Sequence, residues 1–457
     1  MSTIAAISTA TGNGGIGIIR MTGKNSFEIL NKIFVPIKKN DTEIKGYTIK
    51  FGYIINPKNQ EKIDEVLVSY FVSPKSYTTE NMCEINSHGG IIVEKKILQL
   101  CLENGAELAE PGEFTKRAFL NGRIDLAQAE SVIDLINSKS DNEAKASINQ
   151  LEGKLSQKIH VIRDKLLDVM SDIEANIDYP EYDIEQITNK KIETVLDEIK
   201  TDLINLSNSF ENGKILKEGV KTIILGKPNA GKSSLLNTIL NEERAIVSEF
   251  EGTTRDTIEE FVNIQGVPLK LVDTAGIRKT DDKIEEIGVK RALKLSEEAD
   301  LIIAIFDGSK ELSSEDLEIL NIIKNKKVII LLNKKDIGDK ILENNESIKN
   351  NFKNIIKISA KTGDGIEELY DKIASMFKTN EIKMNDGIII TNIRHKNQID
   401  KALNSVNEAI ESNNSGMPID IVSIPIKQIL NDLSAITGED VSEDIINEIF
   451  SKFCLGK

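Results

Sequence analysis

Nine consecutive residues, Gly226-Lys227-Pro228-Asn229-Ala230-Gly231-Lys232-Ser233-Ser234, match the G-x-x-x-x-G-K-[ST] spacing of a phosphate-binding loop. Glycines at that spacing let backbone N–H groups turn inward around a triphosphate at the positive end of a helix. Lys232 then reaches the outer phosphates and Ser233 holds Mg²⁺. Three further polar stretches each follow an apolar run: Asp273-Thr274-Ala275-Gly276 after Leu269 to Val272, Asn333-Lys334-Lys335-Asp336 after Val328 to Leu332, and Ser359-Ala360-Lys361 after Ile355 to Ile358. Each sits at the carboxyl end of an expected strand, where ligands bind in open α/β sheets. A carboxylate at Asp336 can accept from both N1–H and N2–H of guanine, a pair that adenine lacks, so the expected nucleotide is GTP.

Between the loop and Asp273 lies Ala245-Ile246-Val247-Ser248-Glu249-Phe250-Glu251, followed by Gly252-Thr253-Thr254-Arg255-Asp256. Thr254 is the natural second Mg²⁺ ligand of such a switch segment. Small GTPases often place a glutamine after D-T-A-G to orient the attacking water, whereas this chain has Ile277. Water positioning and transition-state charge must therefore come from elsewhere. The amide oxygen of Asn229 could ligate a monovalent cation beside the phosphates; a plain turn residue is the alternative. Arg255 and Arg278 are alternative arginine fingers, and Glu285 is one of many carboxylates on an expected helix face.

The chain has 457 residues, enough for about three domains, and a formal net charge of −15. That charge argues against sequence-blind affinity for nucleic acid, which rests on phosphate contacts, but leaves room for a local basic surface. Its three cysteines, Cys83, Cys101 and Cys454, have no paired spacing, and its three histidines, His88, His160 and His395, show no ligand spacing. Neither disulfides nor zinc are expected. The first residues lack a basic segment and a long apolar core, and no run is long enough to span a bilayer, so the expected location is cytoplasmic, with no membrane partner. Cys454 stands four from the end, as in prenylation, but a terminal lysine is not a typical prenylation signal. Taken locally it is a free thiol.

These motifs need elements to position them. From Thr3 to about Leu120 the texture is mixed α/β, with strands expected at Ile4 to Ser8, Gly17 to Met21, Gly46 to Ile55 and Glu65 to Val72, and a helix at Ile91 to Glu103. Gly12-Asn13-Gly14-Gly15-Ile16-Gly17 fits the dinucleotide-binding G-x-G-x-x-G, but Ile18-Ile19-Arg20-Met21 reads as strand rather than helix. A tight turn feeding a strand is expected there, with a ligand loop as the alternative.

From Ala118 to Phe210 the period is helical: Ile159, Ile162, Leu166, Val169, Ile173 and Ile177 form one core-facing stripe, and Ile192, Val195, Ile199, Leu203 and Leu206 another. Asp178-Tyr179-Pro180-Glu181 breaks the run, and Glu211-Asn212-Gly213 with Gly219 is expected to hinge into the nucleotide module. After Asn385-Asp386-Gly387 the helical period resumes at Ile399, Leu403, Val406 and Ile410, then from Ile426 to Leu433 and from Ile445 to Phe453. Similar helices on both sides predict that the nucleotide module is inserted into one helical domain. The expected fold class is multidomain α/β plus all-α: an N-terminal α+β domain at 1–118, a helical domain at 119–215 and 380–457, and an inserted Ras-like P-loop GTPase domain at 216–379.

Gly14-Gly15-Ile16-Gly17-Ile18-Ile19-Arg20, Phe119-Leu120-Asn121-Gly122-Arg123-Ile124-Asp125-Leu126-Ala127-Gln128-Ala129-Glu130, the phosphate loop, G-T-T-R-D, D-T-A-G-I-R and the terminal Phe453-Cys454-Leu455-Gly456-Lys457 together resemble the bacterial tRNA modification GTPases of the MnmE (TrmE) family, end to end. The resemblance implies a homodimer whose residues 1–118 bind tetrahydrofolate and dimerise, and a GTPase domain activated by potassium-dependent dimerisation. It implies an FAD-dependent MnmG-type partner in a heterotetramer, and tRNA as substrate. The two proteins would install an aminomethyl or carboxymethylaminomethyl group at carbon 5 of the wobble uridine, drawing on 5,10-methylenetetrahydrofolate or 5-formyltetrahydrofolate.

Carried onto matching positions, it implies potassium ligands at Asn229, Ser248, Phe250 and Thr253, the phenylalanine through its carbonyl, and magnesium ligands at Ser233 and Thr254. Glu249, Glu251 and Gly252 join the GTP contacts, and Glu285 becomes the residue that orients water. Folate contacts fall at Arg20, Glu80, Arg123 and Lys457, with Cys454 where one-carbon transfer takes place. The chain departs from the family pattern at Asn13 and in Asn86-Ser87-His88-Gly89-Gly90. The alternative class is a GTP-dependent switch that scaffolds ribosome or RNA assembly without one-carbon chemistry; the N-terminal domain and Cys454 favour the enzyme.

Overall fold

The computed structural model describes residues 1–10, 12–38, 44–178, 185–241, 260–272, 296–324, 326–338, 352–377 and 388–457, with the backbone alone at 185–188 and 241. Two compact units divide them. The first comprises Met1–Ile136, Gln150–Asp197 and Asn404–Lys457; the second comprises Asn137–Asn149 and Glu198–Leu403.

In the first unit, seven strands among the described residues form one sheet: β1 (Ile4–Ile7), β2 (Gly17–Thr22), β3 (Phe34–Pro36), β4 (Thr48–Ile55), β5 (Lys62–Phe71), β6 (Met82–Ser87) and β7 (Glu107–Leu108), in the order β3-β4-β5-β6-β2-β1-β7. The glycine loop at 12–17 does feed a strand, β2, which pairs antiparallel with β1 and β6. Alternation along β5 sends Val66, Val68 and Tyr70 inward, where they pack with Ile29, Leu30 and Ile33 of α1 (Ser26–Ile33) and Ile97, Leu100 and Cys101 of α2 (Ile91–Glu103). The opposite face of β4 and β5 is left apolar and open: Ile49, Phe51 and Leu67 are 65%, 45% and 48% exposed.

The helices that follow are α3 (Glu113–Leu120), α4 (Leu126–Ile136), α5 (Asp141–Leu151), α6 (Lys154–Asp178) and α7 (Glu185–Glu218). In the first unit the later helix Ile419–Thr437 lies against α4 and α6, and Glu443–Ser451 lies against α3. Chain from both sides of the nucleotide module thus shares one core, in which Phe450 and Phe453 pack with Ala118, Leu126 and Ala129.

Three helical expectations are corrected. Ile177 is 48% exposed, while Asn176 lies on the buried side; a helix turns about 100° per residue, so positions three and four beyond Ile173 straddle the stripe. Val195 is only half-buried, because Leu196 takes the inward place. There is no hinge at Glu211-Asn212-Gly213, since α7 runs unbroken to Glu218. Gly213 serves close packing instead: a Cβ there would come within 2.0 Å of the Ile390 carbonyl oxygen. The helix stops at Gly219, whose φ of +75° suits only glycine well. The break at Tyr179-Pro180-Glu181 lies outside the described residues.

In the second unit, six strands among the described residues run in the order β13-β12-β11-β8-β10-β9: β8 (Val220–Leu225), β9 (Glu260–Ile264), β10 (Val267–Leu271), β11 (Leu301–Asp307), β12 (Val328–Asn333) and β13 (Ile355–Lys357). Pairing is parallel except in the β9–β10 hairpin. Leu301 to Phe306 are all buried, as a parallel strand covered on both faces requires. One face packs on α8 (Lys232–Asn241) and the helix Ile366–Phe377, the other on the helix Ser314–Ile323. Strand order reverses at β8, which places the ligand crevice at the carboxyl ends of β8 and β11.

Candidate functional site

The loop Gly226 to Ser234 leaves β8 and enters α8 at that crevice. Gly226 sits so close to β11 that a Cβ would come within 2.4 Å of the Ile305 carbonyl oxygen, and a Cβ at Gly231, where φ is +110°, within 2.0 Å of Asn333 Nδ2. Only glycine allows both approaches. The Ala230 N–H donates to the Lys227 carbonyl at 3.3 Å, and Asn229, with φ of +60°, is exposed. Lys232 Nζ donates to the Gly226 and Lys227 carbonyls at 2.6 and 2.8 Å, across the loop it belongs to. Ser233 is half-buried and Ser234 exposed in the first turn of α8.

One amide joins three of the motifs. The buried Asn333 side chain donates through Nδ2 to the Ala230 carbonyl at 2.8 Å and accepts through Oδ1 from the Ala360 N–H at 2.9 Å. The phosphate loop, Asn333-Lys334-Lys335-Asp336 and Ser359-Ala360-Lys361 therefore form one surface, with Asp336 and Lys361 exposed on it. Lys334, at φ +68°, places Nζ 2.7 Å from Asp307 Oδ2 at the end of β11. Burial by itself would push the Asp307 carboxyl up, but hydrogen bonds from Lys334 and Ser309 and the lysine charge outweigh it and hold the group below the usual carboxylate range. Asp307 escaped the sequence reading, although an acid ending the apolar run Leu301 to Phe306 was a signal. Ser248, Glu249, Phe250, Glu251, Gly252, Thr253, Thr254, Arg255, Asp273, Thr274, Ala275, Gly276, Ile277, Arg278 and Glu285 lie outside the described residues.

A second constellation lies in the first unit, around the chain end. Arg20, on β2, pairs with Glu84 on β6 through Nη2 at 2.8 Å and Nε at 2.9 Å, and donates from Nη1 to the Gly456 carbonyl at 3.3 Å. Its guanidinium stands 5.6 Å from the Tyr77 ring centre, while that of Arg123 stands 4.7 Å from the same ring and donates to the Tyr77 carbonyl at 3.1 Å. One aromatic ring thus gathers two like charges that would otherwise repel. Glu80 is held by Arg117 at 3.1 Å and by the Thr22 hydroxyl at 3.3 Å. Arg117 is buried, also pairs with Glu113 at 2.8 Å, and donates to the Ser2 carbonyl at 2.7 Å. Sequence reading passed over both Tyr77 and Arg117.

Beyond Phe453, whose ring lies in the core, the tail to Lys457 is held through backbone carbonyls. Gly112 N–H donates to the Cys454 carbonyl at 3.3 Å, Phe114 N–H to the Lys457 carbonyl at 3.2 Å, and the Ser8 hydroxyl to the Gly456 carbonyl at 3.0 Å. The structure thus brings Arg20, Arg123 and the tail to one place, with Glu80 anchored through Arg117, while the Cys454 thiol stays exposed. Among the described residues no helix is long and apolar enough to cross a membrane.

Residues 126–454 match the family model described as the MnmE helical domain, and residues 3–123 match that of the GTP-binding protein TrmE N-terminus. The chain is 51% identical over 456 residues to the tRNA modification GTPase MnmE of Acetivibrio thermocellus, covering 100% of this chain and 99% of that protein. It is 50% identical over 458 residues to the protein of the same name from Clostridioides difficile, with coverage of 100% and 99%.

Proposed function

The chain belongs to the MnmE family of tRNA modification GTPases, and we propose that it is a potassium-activated GTPase that works with an FAD-dependent MnmG-type partner on carbon 5 of the wobble uridine of certain tRNAs. The group added would be aminomethyl or carboxymethylaminomethyl. The observation that supports this finer reading is the seating of the tail, whose Gly456 carbonyl accepts from Arg20 and which carries the exposed Cys454.

Those groups suit a folate, the one-carbon donor. Arg20 and Arg123 would bind its glutamate carboxylates, for which guanidinium geometry is suited, and Glu80 would accept from pterin N–H groups. Lys457 would add a further positive charge. In the second unit, Lys232 would hold the outer phosphates and Asp336 the guanine edge, and Ser233 would hold magnesium with Thr254. Asn229, exposed and left-handed in the loop, is the proposed potassium ligand there; Ser248, Phe250 and Thr253 complete the proposed set. The cation supplies the positive charge that an arginine finger supplies elsewhere, and Glu285 orients water.

Residues 1–118 would form the folate-binding and dimerisation domain, the helical domain would span 119–215 and 380–457, and the GTPase domain 216–379. The open apolar face at Ile49, Phe51 and Leu67 supports a homodimer. With tRNA as its substrate, the proposed location is the cytoplasm.

The test is Cys454→Ser in a strain that relies on the variant. GTP hydrolysis and folate binding should persist while nucleoside mass spectrometry loses the modified wobble uridine. Normal levels of modified uridine would remove Cys454 from the chemistry. Turnover of the purified protein in potassium against sodium tests the cation; equal rates would assign the transition-state charge to Arg255 or Arg278.

A further inference from the structure

The phosphate loop has an anchor outside its motif. Lys227, the second residue of the loop, places Nζ 2.7 Å from Asp316 Oδ2 and 2.7 Å from the Ser313 hydroxyl. Asp316 is nearly buried, with a side chain 6% exposed against 25% for Lys227. Ser313 caps the helix Ser314–Ile323 in a reciprocal box: its hydroxyl accepts from the Asp316 N–H, and Asp316 Oδ2 accepts from the Ser313 N–H at 2.9 Å. The ammonium of Lys227 therefore docks on an acceptor that the helix terminus already holds rigid.

The backbone of Lys227 is equally engaged. Its carbonyl accepts from the Ala230 N–H at 3.3 Å and from Lys232 Nζ at 2.8 Å. One residue thus links the turn that presents the loop's amides, the lysine meant for the outer phosphates, and a helix packed on the sheet face opposite α8. We infer that the Lys227–Asp316 pair is a positioning device for nucleotide retention, holding the first half of the loop in the conformation that binds phosphate. Its ammonium acts through Asp316 and Ser313 rather than as a phosphate ligand. A charge-assisted hydrogen bond with little exposure is strong enough to change retention severalfold or more. The inference rests on the loop holding the nucleotide, which wild-type binding tests separately.

In the full-length protein, Lys227→Ala, Lys227→Arg and Asp316→Asn are compared for release of a fluorescent GDP, for KM and kcat with GTP, and for the melting temperature without nucleotide. Lys227→Ala should speed release about tenfold, equivalent to roughly 1.4 kcal/mol. KM should rise with it while kcat stays within about twofold, the signature of a group that acts on binding rather than on the chemical step. Lys227→Arg should recover most of the loss. Asp316→Asn keeps the side-chain shape and a capping acceptor, so it should shift release in the same direction even if Lys227→Ala folds poorly. Wild-type release rates in both Lys227→Ala and Asp316→Asn would overturn the inference. So would a lowered melting temperature with release and KM unchanged, which would make the pair a helix-stabilising contact only.

Discussion

Asp336 stands exposed three residues beyond Asn333, whose side chain is almost wholly buried. Asn333 has both ends of its amide engaged by backbone, so it fixes the loops relative to one another, while Asp336 offers its carboxylate outward. Asp336→Asn should weaken GTP by more than tenfold, on the order of 1.5–3 kcal/mol for one charged hydrogen bond, and should favour xanthosine triphosphate. Equilibrium titration with both nucleotides checks it. Asp307 makes a prediction in pH. Its carboxyl lies below the ordinary range because Lys334 and Ser309 outweigh burial, so its stabilisation is present above the unfolded-chain value and is lost as pH falls through the lower folded one. The melting-temperature gap between wild type and Asp307→Asn should be open at neutral pH and close below about pH 4. A gap that persists into strong acid would mean that charge is not what Lys334 contributes.

At the scale of elements, the tail depends on a conformation more than on its side chains. Gly456 has φ of +87°, and a Cβ there would come within 2.3 Å of the Ile7 carbonyl oxygen. Gly456→Ala combines that clash with a left-handed backbone, which costs on the order of 1–3 kcal/mol in strain. The tail should leave its seat while the rest of the unit keeps its core. Carboxypeptidase should then trim the variant faster than wild type, with little change in melting temperature. Equal trimming would mean that Arg20 and Ser8 do not hold the tail. The helices are legible at this scale wherever one stripe repeats, as from Ile159 to Ile173, but which of two adjacent residues turns inward at the end of a stripe depends on the neighbour it meets. Asn176 and Leu196 took the inward places expected for Ile177 and Val195.

For the whole molecule, the open face of β4 and β5 bears on assembly. Phe51 and Leu67 are directly opposed across the two strands and nearly half exposed, while Val66 and Val68 alternate into the core. Under the proposed homodimer, Leu67→Asp should leave that core intact and yield a monomer in sedimentation velocity at micromolar concentration where the wild type is a dimer; a variant that is still a dimer would place the interface elsewhere. The amino-acid sequence by itself determined the nucleotide motifs, their place at strand ends, the choice of guanine and the family, because phosphate loops and strand periods are local patterns written in consecutive residues. It also located the helices on both sides of the nucleotide module. The strand β6 and the helix α1 were passed over, since neither carries a long clean period. Only the tertiary structure decided that Asn333 clamps the phosphate loop, that Lys227 is tied to Asp316, that Tyr77 gathers Arg20 and Arg123, and that buried Arg117 anchors Glu80. Each of these joins residues that lie tens of positions apart, and no repeat in a single chain encodes such a pairing: it exists only once packing has brought the partners into contact.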